Sequence, residues 1–264
     1  MLDAFLHQGS GLRAHAAQAA PRIVAMASHG DRQSELPLLS DLCTAWTDLG
    51  YLVVVLDATV AESDNLPGLQ QLLGSAGHTH AADAIHAIWP IFPAALGLEH
   101  LRLNDEDMAG DKSPLQQLGS VFRNYDIVLV YASAKNLASY LPDSGIEPLL
   151  TFSTRGVSRL SAYQALKQLL IIGRLQPTIV AVMNESDPNG LASGRSMCKS
   201  LQDCAMTFLG RHVTSLTVSR ASDDMSRLAL RLLEKALSLG QKVSALTDSY
   251  HQRLSSDNYL ARSH

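Results

Sequence analysis

Arg22-Ile-Val-Ala-Met-Ala-Ser28 is followed by His29-Gly30-Asp31-Arg32-Gln33-Ser34-Glu35, then by the run Leu36 to Leu49, by Gly50, and by Tyr51-Leu-Val-Val-Val-Leu-Asp57; the fold is decided in this stretch. The first segment is a continuous apolar run, the pattern of a strand buried on both faces of a parallel sheet. Residues 29–35 read as a loop, 36–49 as a helix ended by Gly50, and 51–57 as a second buried strand. Together they make a β-loop-α-β unit. The junction of strand and helix is where backbone N–H groups and the helix dipole can hold a phosphate. This loop is poorly made for one. Asp31 and Glu35 add negative charge to it. Two like charges at 4 Å repel by about 4 kcal/mol at an effective dielectric of 20. Arg32 offsets part of that. Pro37 is read as a first-turn proline, where a missing N–H costs little.

The alternation continues. Strands are expected at 125–131, 146–153, 178–184 and 213–218, and helices at 66–73, 80–88, 156–172, 191–208 and 224–239. Strands alternating with helices predict an α/β domain with a doubly wound, mostly parallel sheet flanked by helices in three layers. Residues 1–20 read as an N-terminal segment, helical in part, 21–243 as the α/β domain, and 244–264 as a polar tail.

Composition narrows the classes. The chain has 264 residues, 46% of them apolar, enough for one large core. No apolar run is long enough to span a membrane, and the N-terminus lacks the pattern of a secretory signal. A net charge of −4 argues against a large nucleic-acid surface. Cys43, Cys198 and Cys204 fit reduced thiols in a cytoplasmic chain. His78, His80 and His86 lie close in sequence, but no cysteine or carboxylate spacing accompanies them, and no metal site is expected.

Ser28 to Asp57 resembles, without a gap, the phosphate-binding region of the MinD/ParA family of P-loop ATPases, whose loop reads K-G-G-x-G-K-[ST]. The likeness extends along the chain. Asp57-Ala58 matches the family's acid after the second strand, and Tyr125-Asp-Ile-Val-Leu-Val matches its Walker B strand. Ser153-Thr154 with Ser158 to Lys167 is similar to its "TSLTDAY…IK" helix entry, Asn184 to its adenine-facing asparagine, and Phe208-Leu209-Gly210 to its "FLG". The resemblance implies a nucleotide site at Gly30, Asp31, Arg32, Ser34, Glu35, Leu36, Asp57, Tyr131 and Asn184, in degenerate form. Gly30 stands for the first lysine, Glu35 for the phosphate-binding lysine, Leu36 for the Mg²⁺-holding hydroxyl and Tyr131 for the Walker B aspartate. ATP binding and hydrolysis are therefore not expected, nor any catalytic residue, nor the nucleotide-sandwiched dimer of the family.

His7-Gln8-Gly9-Ser10-Gly11-Leu12-Arg13 is similar to the "DQAxxLR" segment of the FlhG-type flagellar number regulators within that family. Gln8, Leu12 and Arg13 match, whereas His7 and Gly9 depart. The resemblance implies that these three residues contact an FlhF-like GTPase or another flagellar assembly protein, with the chain as a non-catalytic cytoplasmic regulator of flagellar number or placement, peripheral at the inner membrane or cell pole. Gly9 and Gly11 each weaken an isolated helix by about 1 kcal/mol against alanine, which suits a segment ordered by its partner. Two other readings stay open: a nucleotide-binding ATPase with an unorthodox loop, and a pseudo-ATPase adaptor of another localised assembly such as cellulose secretion or a pilus. The last helix places Met225, Leu228, Ala229, Leu232, Leu233, Ala236 and Leu237 on one face. Packing on the domain is the favoured use of that face, with weak membrane contact as the alternative.

Overall fold

The structure is a computed structural model and describes residues 20–74, 88–107, 114–153, 156–183 and 190–239. Gln8, Leu12, Arg13, Asn184, the helix expected at 80–88 apart from Ile88, and the tail at 244–264 lie outside the described residues.

Strands β1 (Arg22–Ser28), β2 (Val53–Asp57), β3 (Ile91–Pro93), β4 (Ile127–Ser133), β5 (Leu149–Phe152), β6 (Thr178–Met183) and β7 (Thr214–Ser219) run in parallel in the order β3-β2-β4-β1-β5-β6-β7. A two-residue strand, β8 (Leu237–Ser238), closes antiparallel on the start of β1. The helices are α1 (Arg32–Asp48), α2 (Leu69–Gly74), α3 (Ala95–Asp107), α4 (Pro114–Val121), α5 (Ala134–Tyr140), α6 (Gly156–Lys167, ending in a π turn at Gln168–Ile172), α7 (Gly190–Leu209) and α8 (Ser222–Lys235).

Period-two alternation divides the sheet's side chains between two cores. Ile23, Ala25, Ala27, Val54, Leu56, Val128 and Val130 face a core completed by α2 to α7. Val24, Met26, Val53, Val55, Leu129 and Tyr131 face the other, covered by α1 and α8. The chain reverses direction across the sheet at β1, which lies between β4 and β5. In open α/β sheets ligands bind at the carboxyl ends of the strands beside such a switch point, and Ser28 ends β1 there.

The expected three-layer α/β architecture is what the structure has. Several boundaries differ from expectation. Helix α1 starts at Arg32 rather than Leu36, so residues expected in a loop form its first turn and Pro37 falls in the second. The strand expected to end at Tyr131 continues to Ser133. The last helix stops at Lys235, and Leu237 enters β8. Its apolar residues Met225, Leu228, Ala229, Leu232 and Leu233 are buried against α1, and the Trp46 indole N–H donates to the Ala229 carbonyl at 3.0 Å. That face is thus a packing face.

One buried acid ties α2 to α3. Glu62 is 6% exposed, and its carboxylate accepts the backbone N–H groups of Gln70 at 3.2 Å, Leu96 at 2.8 Å and Gly97 at 2.8 Å. Two helix N-termini therefore share one internal anion, which satisfies donors that have no intrahelical partner. Gly68 lets this loop approach β3, where a Cβ would come 2.1 Å from the Pro93 carbonyl oxygen. Truncation of the acid strands buried N–H groups. Glu62→Ala is expected to lower the unfolding free energy by about 2–4 kcal/mol in urea titration, whereas a surface acid such as Asp64 changes it by under about 0.5 kcal/mol.

Candidate functional site

At the carboxyl end of β1 the chain turns through Gly30, which has a φ of +95° and is exposed, and enters α1 with Asp31 as its N-cap. The left-handed turn explains the glycine where the resemblance expected a lysine. Asp31 offers its carbonyl to the N–H groups of Ser34 at 2.9 Å and Glu35 at 3.0 Å. The helical first turn has consumed most of the expected loop.

Glu35 then folds back into what remains. Its side chain has no exposed surface. Oε1 accepts the backbone N–H of His29 at 2.8 Å and of Asp31 at 3.1 Å. Oε2 accepts the Ser28 hydroxyl at 2.9 Å and the Tyr131 hydroxyl at 2.5 Å. This is close to a capping box, with the acid reaching back from one position later than usual. The two backbone N–H groups at the strand–helix junction thus end on a carboxylate of the same chain.

The surrounding residues brace this arrangement. The His29 side chain is buried; its Nε2–H donates to the Thr151 carbonyl at 2.6 Å, and its Nδ1 lies 2.9 Å from the Ser161 hydroxyl. The same Nε2 is 3.5 Å from Glu35 Oε1, within ion-pair range. The Ser158 hydroxyl donates to the Asp31 carboxylate at 2.6 Å and accepts the Ser153 N–H at 3.0 Å. Helix α6 is thereby joined to the junction twice, once through each of His29 and Asp31.

Of the residues singled out from sequence, Gly30, Asp31, Ser34, Glu35 and Tyr131 come together here. Tyr131 lies in register with Met26 of β1 and Asp57 of β2. Burial first, and then its hydrogen bond to Glu35, push its phenol well above the ordinary value, with Ser28 acting in the opposite direction. Asp57 is engaged locally, its carboxylate accepting the backbone N–H of Thr59 at 2.9 Å and the Thr59 hydroxyl at 2.6 Å. Arg32 reaches outward to the Thr59 hydroxyl at 3.4 Å, and Leu36 is exposed. His29, Ser28, Ser158 and Ser161 were not singled out as site residues. Only His29 had a local signal, its place directly after the strand; the serines of α6 arrive from more than 100 residues away.

No family model and no curated protein matches the chain. Solved structures do. A structure of the MinC:MinD cell division protein complex of Aquifex aeolicus aligns over 83% of this chain and 98% of its own, at 13% identity and a TM-score of 0.50. Cobyrinic acid a,c-diamide synthase from Mycobacterium smegmatis, with bound ATP analog and magnesium, aligns over 81% and 95% at 18% identity and a TM-score of 0.49. A ParA family ATPase from Chlorobium tepidum aligns over 82% and 90% at 13% identity and a TM-score of 0.46. At such identities the likeness is one of fold, and the MinD comparison carries it.

The Tyr131 hydroxyl sets two expectations. Tyr131→Phe removes a donor to a buried carboxylate and is expected to cost about 1–3 kcal/mol of stability at neutral pH. An unfolded phenol ionises near pH 10, while the folded one, with its raised value, keeps its proton. Its contribution is complete below about pH 10 and is lost as pH rises further. Urea titrations from neutral pH to about pH 11 should show a shallower alkaline decline in Tyr131→Phe than in the wild type.

Proposed function

We propose that this chain is a pseudo-ATPase: a MinD/ParA-like domain that binds no nucleotide phosphate and acts through protein contacts. The observation that carries the reading is the Glu35 carboxylate on the N–H groups of His29 and Asp31. A phosphate at that junction needs those donors and a nearby cation to offset its charge. Here the donors are taken and the position carries negative charge. Leu36 offers no hydroxyl for Mg²⁺, and Tyr131 no carboxylate.

We further propose an FlhG-like role, in which the chain helps set flagellar number or placement through an FlhF-like GTPase. The support is the match of Gln8, Leu12 and Arg13 to the activator segment, ahead of a domain that carries Glu35 where the family's phosphate-binding lysine stands. On a helix Gln8 and Leu12 would share a face, so Leu12 can anchor by burial while Gln8 reaches toward the partner's nucleotide. Arg13 would lie about 100° further round, placed to meet an acidic rim.

Two measurements test these readings. Isothermal titration with ATP and Mg²⁺, paired with steady-state phosphate release, should give no binding heat and no turnover above background; turnover abolished by Asp57→Ala would refute the first reading. A peptide of residues 1–20 should bind an FlhF-type GTPase from the same organism and stimulate it. Leu12→Ala should weaken binding by ~1–3 kcal/mol, and Gln8→Ala should reduce GTP hydrolysis more than binding. A peptide that neither binds nor stimulates would remove the flagellar reading and leave the first intact.

A further inference from the structure

We infer that the strand–helix junction is a small-carboxylate site permanently occupied in cis by Glu35, and that this occupancy locks α6 to the junction without any nucleotide. The inference rests on the pseudo-ATPase reading and specifies the regulation of its central site. Four donors converge on one carboxylate from three elements: Ser28 and His29 from the end of β1, Asp31 from the cap of α1, and Tyr131 from β4. That convergence is what distinguishes a built site from an ordinary helix cap, which satisfies one or two donors.

The occupant also sets the geometry around it. His29 and Asp31 are the residues whose N–H groups bond Glu35, and they are the residues whose side chains reach Ser161 and Ser158 of α6. His29 additionally fixes the Thr151 carbonyl of β5. In an anion-responsive protein such a chain of contacts would form when ligand arrives. Here the ligand is covalently present at an effective concentration that no free anion matches. The junction therefore has one state, and a ligand with no differential affinity for a second state shifts nothing.

The experiment removes the occupant and offers it back. Glu35→Ala deletes roughly an acetate from the side chain. Its Tm is expected to fall by roughly 5–10 °C, as for two or more buried donors left unsatisfied in a domain of this size. Sodium acetate or formate should then restore several degrees relative to sodium chloride at equal ionic strength, while leaving the wild-type Tm unchanged. A Tm equal to wild type, or no carboxylate-specific recovery, would overturn the inference. Should Glu35→Ala not fold, Glu35→Gln keeps the volume and removes the charge. Amide exchange at His29 and Asp31 should then accelerate at least about tenfold relative to the core amide of Val54, and unchanged exchange would contradict the lock. A rise in wild-type Tm with ATP would instead strike at the pseudo-ATPase reading, so the two failures are distinguishable.

Discussion

A carboxylate buried beside the end of β1 sets the terms for the elements around it. An ionised acid taken wholly out of water costs several kcal/mol unless hydrogen bonds replace its hydration. Glu35 has no exposed surface and is held by two backbone N–H groups and two hydroxyls. Each donor constrains an element: the turn at Gly30, the cap of α1, and the height of Tyr131 on β4. Because Tyr131 stands opposite Met26 in the sheet register, the hydroxyl meets the carboxylate only if β1 and β4 pair as they do. Chemistry at the site and register of the sheet are one problem with one solution.

The same device appears at Glu62, which serves the N-termini of α2 and α3. In both places helix N-termini that could have faced an external anion are filled from within the chain. The consequence differs by location. Glu62 joins two helices away from the switch point, and its role is packing. Glu35 sits at the switch point itself, where α/β folds of this kind offer their ligand crevice. There its carboxylate joins the end of β1, the cap of α1 and Tyr131 of β4.

Much of this was legible in the sequence. The runs 22–28 and 178–183 are uninterrupted apolar strands bounded by polar residues, and they lie where periodicity places them. Short elements were not visible. Strand β3 has three residues between Pro90 and Ala94, and α5 follows β4 with no loop, opened by the Ser133 hydroxyl accepting the Asn136 N–H at 3.1 Å. The start of α1 was misplaced because the family pattern reads residues 29–35 as a phosphate loop, whereas Asp31 followed by Glu35 is also a helix cap with an acidic first turn. The sequence marks Glu35 as a charge ill suited to a phosphate, whereas its hydrogen bonds to the amides of His29 and Asp31 depend on how the turn at Gly30 folds. The contributions of Ser158 and Ser161 follow from tertiary packing of α6 and have no local signature.

A crystal structure of the protein grown with millimolar ATP and Mg²⁺ separates an internal carboxylate from a nucleotide at the strand–helix junction. The expected result is a junction free of nucleotide, with Glu35 on the amides of His29 and Asp31 and the Tyr131 hydroxyl on the same carboxylate. Glu35 swung outward, with a phosphate group on those two amides, would overturn the pseudo-ATPase proposal.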